Sequence, residues 1–516
     1  MNRPNIVIIT TDQQRFDALG AMDNPIIKTP HLDRLAREGA LFESAVTPCP
    51  LCMPARACLV TGLPASELGI LENEIPSGGY QKDSIPTRLH SLGYWCQAIG
   101  KMHFSNIPYA QTYGMDNMIL SEETRGIRLA KHKKDICLDD YDRFLHENKM
   151  WGWDKPPEIG YNEIKPLLNP LPKKFHVTQW CGDQTVSWIE NDRPRDKPFF
   201  LWSSFVKPHV PYDCPEHLKG LYDNAEFQET WDPDQESKSE NPYFASYRKG
   251  KEFDLYSKQA KRQALANYYA NITFIDEQVG RILDVLEKEG LSEDTLVIFT
   301  SDHGDLMGDH GLWYKSFGYE GSLRIPLILR WPGHVTPNAR CKEIVSLLDI
   351  YPTVLSAAGI VVEETNRKGH NLFSLLDGTE SCNFAFSEVM NAPYYMAHVR
   401  TKDWKYLFYQ NGGFEELYHL TDDPDELLNL VNDSGYEEIK LNLRNQAEKY
   451  ILFHGDNCNV LDTHKKLKVL PYKDSQESTD RPFSRMPWDT RIPRSLSKME
   501  SLFWQNEDWD WLDVLQ

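Results

Sequence analysis

Two unbroken apolar runs, each followed by an acidic residue, constrain the fold more than any other feature of this sequence. The first covers residues 6–9 ahead of Asp12, and the second covers residues 296–299 ahead of Asp302. Runs without polar alternation are typical of parallel strands that are buried on both faces. Open α/β sheets bind their ligands at the carboxyl ends of such strands. The sequence therefore predicts an α/β fold with a large, mostly parallel central sheet flanked by helices.

Other segments fit the same architecture. Short apolar runs at residues 94–99 and 199–205 indicate two further buried strands. The spacing of apolar residues from 260 to 289 predicts a long amphipathic helix that leads into the second run. Residues 29–46 also show helical spacing after a Thr-Pro start, so we expect a helix there. This alternation of strand and helix is typical of α/β domains.

The character of the sequence changes near residue 376. Segments 384–389, 397–401 and 404–410 have the length and composition of short antiparallel strands. Residues 437–453 have the spacing of a helix that would cover them. A smaller C-terminal α+β domain carrying a short antiparallel sheet is therefore expected.

These features predict three parts of the chain. A large domain covers residues 1–375, with insertions at about 105–180 and 213–257 whose loops shape the mouth of the site. The C-terminal subdomain covers 376–455. The tail, 456–516, is expected to pack on the body of the protein or at a subunit interface of a homo-oligomer.

Composition excludes several kinds of partner. The net charge of −20 opposes binding to nucleic acid and to long polyanions. The chain has no apolar stretch of about 18 residues, so we expect no membrane helix. Its start runs directly into the first strand, which predicts a cytoplasmic protein, or a periplasmic or secreted one whose leader was removed. The 10 cysteines lack regular spacing and do not indicate a disulfide framework.

Residues 52–62 place a cysteine where an anion would bind. Pro54 fits the first turn of a helix, so Cys52 would lie at the helix N-terminus, where unpaired N–H groups and the helix dipole attract anions. Arg56, one turn later, would project near the same side and hold the nucleophile or an oxyanion. Two other interpretations stay open. Cys49 and Cys52 form a C-x-x-C that could be a redox pair, or Cys52 is a buried structural thiol.

Asp12 and Asp302 together predict a metal site. Two strands that deliver both carboxylates to one sheet edge would bind a hard cation. His303 follows Asp302, and Gln13 follows Asp12. An amide oxygen can coordinate Ca²⁺ but contributes no charge. A site built on two carboxylates leaves Ca²⁺, Mn²⁺ and Mg²⁺ all open.

Several motifs, in chain order, resemble those of the type I sulfatases of the alkaline phosphatase superfamily. The resemblance covers about residues 4–430. The matching segments are the first strand end at Asp12, C-x-P-x-R with T-G at 52–62, G-K-x-H at 100–103, K-P-H-x-P at 207–211, S-D-H-G at 301–304 and G-D-H-G-L-W-x-K at 308–315.

The resemblance implies a modified nucleophile and one divalent metal. In that family a formylglycine-generating enzyme oxidises the motif cysteine, here Cys52, to Cα-formylglycine (3-oxoalanine), whose hydrate attacks sulfur. By position, Asp12, Asp302 and His303 match the metal ligands, and residue 52 adds its oxygen. Ca²⁺ is the first expectation for the metal.

Two positions depart from the commonest sulfatase pattern. Many sulfatases have a second Asp where this chain has Gln13. Asn73 occupies the place where choline-sulfatase-like and phosphonate-monoester-hydrolase-like members have a ligand Asn. Gln13 and Asn73 are therefore candidate metal ligands that point toward that branch.

The resemblance also implies roles around the sulfate group. Lys101 and Lys315 would grip sulfate, and His103 would hydrogen-bond the formylglycine hydrate. His209 would lie beside the oxygen of the leaving group and protonate it. Arg56 completes the set of candidate catalytic residues.

We therefore predict hydrolysis of a sulfate monoester to an alcohol and inorganic sulfate, with residues 1–375 as the catalytic sulfatase domain. The substrate is expected to be small: a sugar, aryl or choline sulfate. One alternative is a phosphonate monoester or phosphodiester hydrolase of the same superfamily. Another, from a different class, is a non-catalytic binding protein in which Cys52 stays a thiol.

Overall fold

The structure is a computed structural model. It describes residues 3–73, 83–105, 108–122, 139–151, 164, 166–227, 242–251, 253, 256–360, 369–391, 394–455 and 459–473. The strands are β1 (Asn5–Asp12), β2 (Ala40–Val46), β3 (Trp95–Gly100), β4 (Asn117–Leu120), β5 (Phe199–Pro208), β6 (Thr295–Ser301), β7 (Leu327–Arg330), β8 (Ala339–Ser346), β9 (Phe384–Asn391), β10 (Tyr394–Thr401), β11 (Trp404–Tyr409) and β12 (Phe414–His419). The α-helices are α1 (Pro30–Glu38), α2 (Cys52–Thr61), α3 (Ala65–Leu68), α4 (Ile85–His90), α5 (Asp140–Glu147), α6 (Val177–Ser187), α7 (Pro242–Gly250), α8 (Lys258–Lys288), α9 (Glu320–Leu323), α10 (Ile350–Ala357), α11 (Leu372–Leu376) and α12 (Glu437–Phe453).

Within the described residues, eight strands form the main sheet in the order β8-β2-β7-β6-β1-β5-β3-β4. β1 lies at the centre and pairs in parallel with both β5 and β6. β7 runs antiparallel to its two neighbours, and the other pairings are parallel. The predicted fold class is confirmed.

The side chains of β1 explain why this strand is central. Ile6 and Ile8 belong to the core on one face of the sheet, with residues of α2, α4 and α10. Val7 and Ile9 belong to the core on the other face, with residues of α1, α6 and α8. Burying each of these side chains contributes about 1.5–3 kcal/mol, which favours a strand covered on both faces.

A second, antiparallel sheet of four strands is described in the C-terminal part, in the order β9-β10-β11-β12. Its core also contains Phe317 and Tyr319, which come from the loop that carries Lys315. Buried ion pairs reinforce this junction, since Glu320 lies 2.6 Å from Lys405 and 3.0 Å from Arg400. The C-terminal sheet therefore supports the loop that leads to Lys315.

The prediction of one helix over residues 29–46 is wrong in its second half. α1 ends at Glu38, and the chain continues as strand β2, which pairs with β7 and β8. Glycine at position 39 allows the chain to lie close to β7, because a Cβ there would lie 2.2 Å from the Leu329 carbonyl oxygen. The hydrogen bonds that residues 40–46 form with the neighbouring strands therefore determine their structure, in spite of the helical spacing of their apolar side chains.

The predicted insertions contain more regular structure than their composition indicates. Strand β4 extends the main sheet beside β3, and helix α5 follows it in the chain. A two-residue ladder, Leu167–Leu168 with Asp213–Cys214, joins the two insertions.

Part of the predicted tail is described. Leu461 and Leu467 pack into the core of the C-terminal sheet, and Leu470 donates a backbone hydrogen bond of 2.9 Å to Gln410. Residues 474–516 lie outside the described residues. Among the helices that are described, none has the length and hydropathy to cross a bilayer.

Candidate active site

The N-terminus of α2 brings Cys52 next to the end of β1. The helix begins at Cys52 with Pro54 in its first turn, as the sequence indicates. Asn73 Oδ1 accepts a hydrogen bond of 3.1 Å from the Met53 backbone N–H. The side chain of Cys52 is only 2% exposed, so its immediate surroundings are protein groups.

Four side chains meet at this point. Ligand atoms of Asp12, Cys52, Asp302 and His303, here called the donor cluster, all lie within 4.8 Å of one another. Cys52 Sγ lies 3.2 Å from His303 Nε2 and 3.6 Å from Asp12 Oδ1. Lys315 Nζ donates to the same sulfur at 3.0 Å. Residues far apart in the sequence are therefore brought together at the carboxyl ends of β1 and β6.

The histidine of the donor cluster is oriented as a metal ligand would be. His303 Nδ1 lies 2.9 Å from the Gly304 carbonyl, which can only accept, so Nδ1 carries the proton. The lone pair of Nε2 then points toward the cluster. Burial lowers the pKa of His303, which keeps the ring neutral. Two buried carboxylates and a neutral imidazole fit a divalent cation.

Cations stabilise the ionised form of Asp12. Burial by itself would raise the pKa of this carboxyl, but the charges of Lys101, His209, Lys315 and Arg56 hold it well below its usual range. Lys101 Nζ lies 2.5 Å from Asp12 Oδ2. Asp12 is therefore ionised, as a metal ligand must be.

Arg56 is buried beneath the cluster, where it holds the two carboxylates in place. Its Nε donates to Asp302 Oδ2 at 2.8 Å, and its Nη2 lies 3.5 Å from Asp12 Oδ2. Nη1 donates to the Lys101 carbonyl and, at 2.7 Å, to Ser204 Oγ. The expected contact of Arg56 with a nucleophile or an oxyanion stays a prediction, while these contacts organise the metal-binding groups.

Gln13 and Asn73, the two candidate ligands that depart from the common pattern, lie in different surroundings. Gln13 Oε1 accepts from Lys315 Nζ at 2.8 Å, so it lies beside Cys52. Asn73 Oδ1 is bonded to the first turn of α2. The geometry therefore supports a ligand role more for Gln13 than for Asn73.

His103 follows β3 with a positive φ of 52°. Glu122 accepts from the backbone N–H groups of Met102 and His103, at 2.9 Å each, and lies 3.7 Å from His103 Nε2. The glutamate therefore holds the backbone of this loop, and its carboxylate lies beside the imidazole ring.

Lys207 organises the loop that carries His209. Its Nζ donates to the carbonyls of His209, at 3.3 Å, and Pro211, at 2.7 Å, and forms an ion pair with Asp213. His209 Nδ1 lies 2.7 Å from the Val210 carbonyl. His209 is close enough to Asp12 to lower the pKa of that carboxyl.

Sequence reasoning missed Glu122, Lys207 and Asp305 as parts of the site. Lys207 lies inside the K-P-H-x-P motif and Asp305 two residues after His303, so motif membership was the available signal. Glu122 has no local signal, because its partners come from the neighbouring strand.

The charges favour an anionic substrate. Within the donor cluster and the cations in direct contact with it, Asp12 and Asp302 bring two negative charges, while Arg56, Lys101 and Lys315 bring three positive ones. The excess of positive charge lies in a buried site, where electrostatic attraction is strong. The negative charge of a sulfate group would neutralise this excess of positive charge.

A second group of ligand-type residues is formed by His90, Cys96 and Asp116. His90 Nε2 lies 2.8 Å from the Gly114 carbonyl and therefore donates to it. This nitrogen is not available as a ligand, and the group is separate from the donor cluster.

Comparison with known proteins agrees with the geometry. Residues 4–360 match the profile of the sulfatase family. Residues 308–451 match the profile described as N-sulphoglucosamine sulphohydrolase, C-terminal. The first match alone covers more than half of the chain.

Named relatives align over most of their lengths. The chain is 32% identical over 489 residues to an arylsulfatase of Clostridium perfringens, covering 91% of this chain and 98% of that protein. It is 29% identical over 448 residues to a choline-sulfatase of Rhizobium meliloti, and the alignment covers 84% of this chain and 83% of that protein. The crystal structure of the phosphonate monoester hydrolase of Agrobacterium radiobacter matches with a TM-score of 0.70 at 26% identity, covering 88% of this chain and 96% of that one. The donor cluster, the profile and these relatives together show that the chain belongs to the type I sulfatase family and is a sulfuric ester hydrolase.

Proposed function

We propose that this sulfatase cleaves the sulfate monoester of a small alcohol through a formylglycine made from Cys52, with one divalent cation at the donor cluster. The observation that carries the proposal is the position of Cys52 Sγ, which lies 3.0 Å from Lys315 Nζ and 3.2 Å from His303 Nε2. This sulfur lies where the helix N-terminus and the cationic groups meet. A nucleophile at this position would attack an anion held by the cations.

The modification explains why a cysteine stands here. When hydrated, formylglycine supplies two hydroxyls on one carbon, one to attack sulfur and one to release sulfate as the aldehyde re-forms. An unmodified thiol lacks the second hydroxyl and could not complete the cycle in this way. The proposed mechanism therefore requires a maturation enzyme that oxidises Cys52 to formylglycine.

The residues of the chain bind and orient the sulfate group. Asp12, Asp302 and His303 would hold the cation, with Gln13 as a neutral oxygen ligand. A bound divalent cation supplies positive charge that polarises the sulfate oxygens. Lys315, beside Cys52, binds the sulfate oxygens as charge redistributes in the transition state. Ca²⁺ is our first choice for the cation, ahead of Mn²⁺ and Mg²⁺.

Two histidines are proposed to move protons. His209 donates Nδ1–H to the Val210 carbonyl at 2.7 Å, which leaves Nε2 for the substrate; in the imidazolium form, Nε2–H would give its proton to the departing oxygen, and the ring would become neutral. His103 is proposed to accept a proton from residue 52, with its ring oriented by Glu122. Lys101, paired with Asp12, keeps the metal-binding carboxylate ionised.

The relatives support a small substrate. Their names describe an arylsulfatase, a choline-sulfatase and an N-acetylglucosamine-6-O-sulfatase. A second candidate reaction is phosphonate monoester hydrolysis, which the likeness to the Agrobacterium radiobacter hydrolase favours. We give precedence to sulfate esters because the relatives from Clostridium perfringens and Rhizobium meliloti are both named sulfatases.

The first prediction separates these two reactions. We expect kcat/KM for 4-nitrophenyl sulfate to exceed that for 4-nitrophenyl phenylphosphonate by about 100-fold or more, because the cationic site is matched to one transferring group. Turnover of both esters is measured with the same metal-loaded enzyme, which controls for loss of active protein. A faster phosphonate reaction would assign the second function.

The second prediction concerns proton donation. His209→Ala should lower kcat/KM by about 10²–10⁴-fold for an alkyl or sugar sulfate and by less than about 10-fold for 4-nitrophenyl sulfate, whose leaving group needs no proton. His90→Ala, which removes a histidine outside the donor cluster, is the matched control. Equal losses on the two substrates would rule out an acid role for His209.

A further inference from the structure

The amide of Gln13 is hydrogen-bonded to a donor through its oxygen and to an acceptor through its nitrogen. Its Oε1 lies 2.8 Å from Lys315 Nζ, and its Nε2 donates to Asp305 Oδ2. An ammonium group only donates, and an ionised carboxylate only accepts. The two partners therefore determine which end of the amide is oxygen and which is nitrogen. The oxygen faces Lys315, and Lys315 in turn donates to Cys52 Sγ at 3.0 Å.

Asp305 is itself held in one orientation. Its Oδ1 accepts from the backbone N–H groups of Met307 at 3.0 Å and Tyr314 at 2.9 Å. Its Oδ2 accepts from Tyr212 Oη at 2.6 Å as well as from Gln13. Asp305 and Gln13 are both completely buried. The Gln13 amide therefore cannot turn over without leaving a buried donor or acceptor unpaired.

We propose that Asp305 is a positioning residue that holds the Gln13 amide with its oxygen toward the donor cluster, where that oxygen serves as a ligand of the cation. This inference rests on the proposed metal at that cluster. It also explains why residue 13 is neutral. A carboxylate at position 13 would meet the Asp305 carboxylate in a buried site, where two like charges in contact are unfavourable.

The test exchanges the donor and the acceptor between the two positions. In Asp305→Asn, the two backbone N–H groups keep the oxygen of the introduced amide on their side, so its NH₂ faces Gln13. The Gln13 amide must then turn over and present its NH₂ to Lys315 and the cluster. We expect the affinity for the cation to fall by about 10–100-fold, the range for loss of a group that orients a ligand.

The double variant Gln13→Glu with Asp305→Asn should restore binding. The carboxylate introduced at position 13 has oxygen at both ends, so one oxygen accepts from the amide at position 305 while the other faces Lys315. The total charge of the pair is unchanged. Gln13→Glu alone should be less stable than the double variant, because it places two carboxylates in contact.

The measurement is calorimetric titration of Ca²⁺, Mn²⁺ and Mg²⁺ into chelator-stripped protein, with the melting temperature recorded for each variant. Asp309→Asn, the same substitution in the same loop but on the partner of Arg15, is the matched control and should leave the affinity unchanged. Restored affinity in the double variant supports the inference, including when Asp305→Asn alone does not fold.

Three results would overturn the inference: unchanged affinity in Asp305→Asn, a double variant that binds as weakly as that single variant, or failure of both to fold. Any of these results would show that Asp305 stabilises the fold and does not position Gln13 for the cation. Wild-type protein that binds none of the three cations would instead reject the metal in the proposed function.

Discussion

Replacing Cys52 by Ala is expected to lower kcat by about 10⁴-fold or more, the order seen when a covalent nucleophile is removed. The fold should persist, since Cys52 contributes one buried thiol at the start of α2 while the helix packs through residues such as Ala55 and Leu59. Steady-state turnover of an aryl sulfate and the unfolding free energy are the two measurements. The activity should be lost with a stability change of about 1 kcal/mol.

Cys58→Ala is the matched control for this experiment. Cys58 is a buried thiol on the same helix, and burial raises its pKa well above the usual value for cysteine. It should keep full activity. Mass spectrometry of the peptide containing residue 52 adds a direct measurement, because formylglycine is about 18 Da lighter than cysteine. Substantial hydrolysis by Cys52→Ala would reject Cys52 as the source of the nucleophile.

Replacing Asp302 by Asn is expected to remove the cation and the activity together. Asp302 Oδ2 accepts from Arg56 at 2.8 Å, and Oδ1 accepts from the N–H groups of Gln13 at 3.1 Å and His303 at 2.9 Å. The NH₂ of asparagine would face a donor in either orientation. We expect cation affinity and kcat to fall by about 100-fold or more, and the unfolding free energy to fall by about 3–5 kcal/mol because Arg56 loses a buried partner.

Asp349→Asn separates loss of stability from loss of the metal. Asp349 is also buried, and it accepts from the N–H groups of Ser346 at 2.7 Å and His370 at 2.6 Å, outside the donor cluster. This control should lose stability but keep the affinity of wild-type protein for the cation. Metal analysis and chemical denaturation are performed on both variants. Full metal occupancy in Asp302→Asn would contradict the assignment of this residue as a ligand.

The spacing of apolar residues predicted the helices and strands whose buried faces can be recognised within one segment of the sequence. The strands at β1 and β6 were predicted from unbroken apolar runs, because both faces of each strand are covered. Helix α12 has the predicted bounds, and α8 differs from its prediction by only a few residues. Three strands of the C-terminal sheet, β9, β10 and β11, lie where the change in sequence character indicated them, whereas the fourth, β12, was not predicted.

Elements that depend on their neighbours were predicted less well. The helical spacing of residues 29–46 is real, yet 40–46 form β2 because β7 and β8 offer pairing partners on both sides. Strand β4 has only four residues and gains its place from β3. Neither effect is visible in the segment alone, since strand formation depends on cross-strand partners.

The candidate site was also predicted only in part from the sequence. The motifs identified the candidate residues of the site, but not how those residues pair. Arg56 was expected to hold the nucleophile or an oxyanion, and its described ion pairs are with the carboxylates of Asp12 and Asp302. Lys207 shares a motif with His209 and serves to shape its loop.

The sequence by itself determined the family, the buried strands and the identity of the candidate nucleophile, because apolar runs and motif spacings are local properties of the chain. Only the tertiary structure decided that Gln13 and Asp305, 292 positions apart, form one hydrogen-bonded pair beside the donor cluster. Such a pairing depends on the geometry of two separate strand ends. The physical reason is that hydrogen bonds act over about 3 Å, so partners distant in sequence are set by packing and not by composition.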